Sequence, residues 1–300
     1  MTAVNAPPAG ALAAVPGWRD APPSARSSEA LPRGLDAARS WRVRTAEGEF
    51  ALKVAHGATA AARLPAGAAL QALAAEAGLA PRVAAAGVAG EFAFVVSEFV
   101  PGAAWRREEL LGAAGRERLG AWLRALRAVP VARVAQGPPL HERVEMLAAR
   151  VLDAAPGEAE AVRGWLSIAA REFARLRARA RPDALVHSDV HHRNVLTGPA
   201  RTGCDLPLLV DWDYAHRGDP LQDVGSLLAR YPESQRDAVR WLDASGLAAV
   251  ATPAELAAMI RIHQVLHLLW FSERRALGAT PAAAEAAEER ALRAALAAPA

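Results

Sequence analysis

The sequence predicts an α+β protein: a small antiparallel sheet with one helix, then a larger, mainly helical part holding a short β insert. Three observations predict it. Paired apolar-alternating runs occupy residues 40–54 and 82–100, each interrupted by a glycine-containing turn. From about residue 107 the apolar residues recur at helical spacing instead. Pro101-Gly102 breaks the chain between the two textures. The 300 residues suffice for two lobes of ordinary size.

Taken in order, residues 1–30 are Ala/Pro-rich and are expected to form a disordered extension. Residues 31–100 form the first lobe. There "SWRVRTAEGEFALKV" reads as a hairpin with Lys53 near the end of its second strand. "PAGAALQALAAEAGLAP" reads as a helix stopped by Gly78 and Pro81. "RVAAAGVAGEFAFVVSEFV" is a second hairpin, turning near Gly87 to Gly90. Residues 101–300 form the second lobe. It opens on a helix carrying Leu110, Leu111, Leu119, Trp122, Leu123 and Leu126. Two more helices fall within His141–Asp153 and Glu158–Ala180. Short β-like runs, "ALVH", "NVL" and "LPLLVDWD", follow. Helices return from about Pro220, including the long "AELAAMIRIHQVLHLLWFSERRAL". No internal repeat is visible.

Composition narrows the function classes. An apolar fraction of 52% and a charged fraction of 22% are those of a globular protein. A net charge of +3 without a dense basic run does not point to nucleic acid. The N-terminus lacks the basic and apolar regions of a signal peptide, and every apolar run is cut by Arg or Glu before it could span a membrane. The lone cysteine, Cys204, excludes an intrachain disulfide. A cytoplasmic protein without a membrane or nucleic-acid partner is expected. Of 35 basic residues only Lys53 is a lysine. Arg is a planar fork and Lys a compact point charge, so a position kept as Lys points to a need for the ammonium itself.

"LVHSDVHHRNVL", Leu185 to Leu196, crowds three histidines, an aspartate and an asparagine between apolar pairs. His187 and His191 have the i, i+4 spacing of a helical zinc pair, but the segment lies between β-like runs and has no third Cys/His ligand at a usual spacing. Asp189 and Asn194 lie five apart, with Asp211 seventeen beyond. Phosphoryl transfer from ATP needs a carboxylate to orient the acceptor hydroxyl and oxygen ligands for Mg²⁺. This set, with Lys53 for the phosphates, supplies them. An aspartate ending an apolar strand also serves as a turn former or helix cap, and that reading stays open on the residues alone.

"LVHSDVHHRNVL…LLVDWDYAHRGDPLQDVG" resembles the paired signatures of the aminoglycoside phosphotransferase/choline kinase family, and within it bacterial choline and thiamine kinases. The resemblance spans roughly residues 34–275. It implies a bilobal, protein-kinase-like fold with a small antiparallel-sheet N-lobe and a mainly helical C-lobe, and it implies ATP and Mg²⁺ as cofactors. By resemblance Asp189 is the catalytic base, Asn194 and Asp211 are the Mg²⁺ ligands, and Lys53 holds the ATP phosphates. His187 braces the loop, Asp223 secures it, and Asp213 fills the second acidic position. Glu98, Phe99 and Val100 sit where the lobes connect, their backbone facing adenine. The lysine's usual glutamate partner is a departure: Glu76 is the only acid between Lys53 and Glu91, and it lies late, beside the helix stop. No glycine-rich flap is present, which leaves the hairpin around Arg44–Glu49 to cover the phosphates.

The acceptor is expected to be a small molecule. Trp270, in the long C-terminal helix, together with Trp212 and Tyr214, forms a candidate aromatic cage for a cation of the choline, ethanolamine or thiamine kind. The alternatives are an aminoglycoside acceptor or a catalytically silent nucleotide-binding module. Glu285, Glu288 and Glu289, which an aminoglycoside would use, read more simply as one solvated helix face.

Overall fold

The computed structural model describes residues 6–31, 38–132, 134, 137–177, 183–197, 206–280 and 282–297. Cys204 lies outside them. The chain divides into two compact units, residues 1–106 with 192–216, and residues 107–191 with 217–300.

The first unit contains a five-stranded antiparallel sheet of order β1-β2-β3-β5-β4. The strands are β1 (Ser27–Ala30), β2 (Arg39–Thr45), β3 (Gly48–His56), β4 (Val83–Ala89) and β5 (Phe92–Glu98). Both hairpins read from the sequence are present. β2 meets β3 with Trp41 opposite Leu52. β4 turns into β5 at Gly90, whose φ of +63° suits a residue without Cβ, while Gly87 stays within the strand. One face buries Trp41, Val43, Leu52, Val54 and Val96.

α1 (Ala9–Leu12) packs on that face. This corrects the expected disordered extension. Ala11 and Val15 join the sheet core, Thr45 Oγ1 donates to the Pro16 carbonyl at 2.8 Å, and Arg26 donates to the Trp18 carbonyl at 2.7 Å. Leu12, Ala14 and Trp18 pack beside Ala11 and Val15, but a four-residue helix is too short to show a helical period, so the Ala/Pro-rich composition hides it.

α2 (Ala58–Glu76) covers the other face through Ala60, Leu64 and Ala68. It begins seven residues before Pro65, where the sequence reading started it. Four of the seven upstream residues are alanine, the strongest helix former, and Leu64 is fully buried there.

A two-stranded ladder, β7 (Val195–Leu196) with β8 (Leu208–Leu209), belongs to this unit. It shifts the expected division, which placed everything beyond residue 100 in the second lobe. Trp105 N–H donates to the Val195 carbonyl at 2.9 Å, and Leu209 N–H to the Leu79 carbonyl at 3.1 Å.

The second unit is mainly helical: α3 (Arg107–Leu111), α4 (Ala113–Arg127), α5 (Leu140–Ala154), α6 (Ala159–Arg175), α7 (Leu221–Arg230), α8 (Ala238–Ala244), α9 (Pro253–Ala276) and α10 (Ala283–Ala297). β6 (Ala184–Val186) leads into the histidine-rich loop, and β9 (His216–Gly218) leads toward α7. α9 is the central helix, packed by α5, α6, α7 and α10. Its start is fixed by a capping box: Thr252 Oγ1 accepts from Glu255 N–H, and the Glu255 carboxylate accepts from Thr252 N–H at 2.7 Å. α7 is buried from Leu221 to Ala229, as expected of a helix enclosed by neighbours.

Candidate active site

The first unit gathers the charged groups around Lys53. Leu52 and Val54 point into the core, so strand alternation sends Lys53 to the opposite face. Its ammonium donates to Asp211 Oδ1 at 2.8 Å and to Asp213 Oδ2 at 2.9 Å. Arg63, on α2, adds a contact to Asp213 at 3.4 Å. Burial pushes the Asp213 carboxyl up, Lys53 and Arg63 pull it down, and the neighbouring Asp211 charge pushes with burial.

The ladder brings Asn194 to Asp211. Val195 pairs with Leu209, and Val210 N–H donates to the Asn194 carbonyl at 3.0 Å. Asn194 and Asp211 therefore fall at the same end of the ladder. Asp211 has φ +67°, in the left-handed region, which costs about 1–3 kcal/mol and collects at functional sites. Asn194 is buried, and the Asp211 side chain is 34% exposed.

The second unit builds the loop carrying Asp189. Asp223, at the start of α7, accepts from His187 N–H at 3.1 Å and from Ser188 N–H at 2.7 Å. Burial pushes the Asp223 carboxyl up to about 7, against those two donors and Arg143. Ser188 has φ +66°, so this loop too holds a strained residue. His187 is fully buried, meets the Trp122 ring edge-on, and its Nδ1 accepts from Asp189 N–H at 3.3 Å. Asp189 Oδ2 lies 3.4 Å from His191 Nε2, and Asp189 Oδ1 lies 3.3 Å from Arg230. Burial alone would push the Asp189 carboxyl up. His191, Arg230 and His187 outweigh it and hold the group well below the usual carboxylate range.

Residues 28–259 match the phosphotransferase enzyme family. The chain belongs to that family. No functionally curated protein matches this phosphotransferase. Among solved structures it is similar to the choline kinase LicA from Streptococcus pneumoniae, with TM-score 0.70 and 14% identity over 90% of this chain and 93% of that one. It is also similar to a choline/ethanolamine kinase family protein from Mesorhizobium loti, with TM-score 0.68 and 22% identity over 96% and 93% of the chains. A thermostable mutant of the aminoglycoside phosphotransferase APH(4)-Ia gives TM-score 0.63 and 17% identity over 90% and 94%. These likenesses establish the kinase-like fold. No helix among the described residues is long and apolar enough to cross a membrane.

The remaining predicted residues of this phosphotransferase have their own surroundings. Glu76 is exposed at the last position of α2, and the carboxylates that meet Lys53 are Asp211 and Asp213. This matches the favoured reading of Glu76 as an ordinary exposed glutamate. Glu98 and Phe99 N–H groups donate to the Arg82 and Glu49 carbonyls, whereas no bond from Val100 N–H is seen among the described residues. Glu49 is clamped by Arg42 at 2.6 Å and Arg44 at 2.7 Å, so the hairpin proposed to cover phosphates is closed by its own ion pairs. Trp212 is 2% exposed and donates to the Leu209 carbonyl at 2.8 Å, the posture of a core residue. Tyr214 carries Arg63 over its ring, at 4.9 Å to the centroid. Trp270 carries Arg274, at 4.7 Å, and meets Phe271 edge-on.

Sequence reasoning missed Arg230 and the use of the C-terminal acids. Glu285 and Glu289 are 5% and 8% exposed. Glu285 pairs with Arg274, Glu289 with Arg275 and Arg293, and Glu288 with Arg230. The expected solvated face is instead a docking face. No local signal marks these pairs: Arg274 and Arg275 are adjacent in "FSERRAL", and partners on another helix leave no pattern in one sequence.

Proposed function

We propose that this phosphotransferase moves the γ-phosphoryl group of ATP to a hydroxyl of a small cationic metabolite of the choline, ethanolamine or thiamine kind. The hydroxyl oxygen gains the bond to phosphorus, the bond to the ADP oxygen breaks, and the hydroxyl proton leaves by way of Asp189. The observation that carries the reading is Lys53 in contact with Asp211, with Asn194 at the same ladder end. An ammonium for phosphates thus stands beside oxygen donors of the kind Mg²⁺ takes.

The donor set fits a magnesium ion. Asn194 and Asp211 offer hard oxygens, and the backbone strain at Asp211 marks a residue held for use. Those two would hold the ion and Lys53 the phosphates. Bound magnesium neutralises charge on the transferring phosphoryl group. Val100 N–H is the donor offered to adenine. Asp189 is kept ionised, so it is a weak base that chiefly orients the acceptor, which suits a loose transition state with little bond formation to assist. AMP has been bound to LicA, and ADP with hygromycin B to APH(4)-Ia, which supports a nucleotide and a small hydroxylated acceptor.

The cationic acceptor is supported by Trp270. Its indole face holds the Arg274 guanidinium, which shows that the ring takes a cation; an acceptor would have to displace that side chain, itself paired with Glu285. ADP release measured with choline, ethanolamine, thiamine and kanamycin tests the reading. Turnover with one of the first three is expected. Turnover with kanamycin alone would overturn the acceptor class, and ATP binding without turnover on any would favour a silent module.

A further inference from the structure

α10 lies beyond the family match, which ends at residue 259, yet it reaches the candidate base. Glu288 on α10 lies 3.1 Å from Arg230, the last residue of α7, and Arg230 lies 3.3 Å from Asp189 Oδ1. The side chains are only 16%, 12% and 18% exposed, so the three charges act on each other with little solvent screening. We infer that Arg230 is a positioning residue for Asp189, held in place by Glu288, so that the C-terminal helix helps to set the orientation of the catalytic carboxylate. The inference rests on Asp189 as the base.

Three features argue for it. First, Asp189 has two outward oxygens and each meets a different group, His191 on Oδ2 and Arg230 on Oδ1, which fixes the carboxylate plane. Second, Arg230 is the residue suited to bridge two carboxylates, because its planar fork presents separate N–H groups to each. Its contacts use different nitrogens: Nη2 donates to Asp189, while Nη1 meets Glu288 as an ion pair without hydrogen-bond geometry. Third, α10 is held against its neighbours by further pairs, Arg274 with Glu285 and Arg275 with Glu289, so Glu288 is delivered by a fixed helix. The other charged and titratable groups around Asp189 are His187, His191 and His267. Burial keeps His267 neutral, with Arg230 and His263 adding to the effect.

The test titrates the Asp189 carboxyl directly in full-length protein labelled with ¹³C at aspartate Cγ, its signal identified by loss in Asp189→Asn. Wild type should stay ionised down to about pH 4, and Arg230→Met should raise the midpoint by about one unit or more. Arg230→Lys, which restores charge, should return it most of the way. With a turned-over acceptor, Arg230→Met should lower kcat about tenfold or more while KM for ATP stays within about twofold. A folded Arg230→Met protein with an unmoved midpoint and normal kcat would overturn the inference while leaving the kinase reading intact. A moved midpoint without any turnover by wild type would leave the Arg230–Asp189 contact standing but overturn the kinase reading, and with it the catalytic purpose given to that contact. Should Arg230→Met not fold, Glu288→Gln carries the test: a fall in kcat at unchanged KM for ATP is expected, and unchanged kcat overturns it.

Discussion

Lys53 and Asp211, 158 positions apart, meet at 2.8 Å, and the same ammonium reaches Asp213 at 2.9 Å. One cation thus holds two carboxylates that would otherwise repel. Lys53→Met should remove charge-assisted bonds of about 1.5–3 kcal/mol, lowering kcat/KM for ATP about 10- to 150-fold. It should also lower Tm, since Asp211 and Asp213 are left facing each other. Lys53→Arg keeps the charge but not the compact head, so an intermediate loss is expected. Steady-state kinetics in ATP, with a thermal melt of each variant, checks both.

Gly67 is the point where α2 passes the strand end that carries Asp211. A Cβ there would lie 2.6 Å from the Trp212 carbonyl oxygen and 3.0 Å from its carbon. Backbone cannot yield as a side-chain tip does. Gly67→Ala should therefore cost about 1–3 kcal/mol and displace Asp211, raising KM for ATP. Gly164 has nothing within 4 Å of an added Cβ, so Gly164→Ala serves as the helical control.

Asp223 gives stability a pH slope. Its folded value of about 7 lies above the ordinary 3.8, chiefly because of burial. The folded protein then binds the proton more tightly than the unfolded chain. That contribution is full below about pH 4 and is lost as pH rises to 7. Between about pH 5 and 7 the loss is on the order of 1–3 kcal/mol. Asp189, ionised in both states over that window, adds no slope. Tm measured at both pH values should fall more steeply in wild type than in Asp223→Asn, and equal slopes would contradict the assignment.

Much of this was legible in the sequence for physical reasons. Strand alternation around Leu52, Lys53 and Val54 exposes a period of two, and the Asn194–Asp211 spacing is carried by a short ladder. Other parts were not legible. α1 is a single four-residue turn, too short to show a helical period, although Ala11, Leu12 and Val15 dock there. That Asp211 and Asp213 both meet Lys53 was not legible, because tertiary proximity and not local spacing chooses the carboxylates. Glu288 looked like a solvated acid because its arginine lies on α7, 58 positions earlier, and pairing across elements leaves no local periodicity.

The central claim is that Asp189 orients an acceptor while Lys53, Asn194 and Asp211 serve Mg·ATP. The direct measurement is ATP affinity by calorimetry beside ADP release, for wild type, Asp189→Asn and Asp211→Asn, with and without EDTA. Asp189→Asn should lose turnover by about 100-fold or more with ATP affinity within about threefold. Asp211→Asn, and EDTA on wild type, should weaken Mg·ATP use itself. Near-normal turnover in Asp189→Asn would contradict the account.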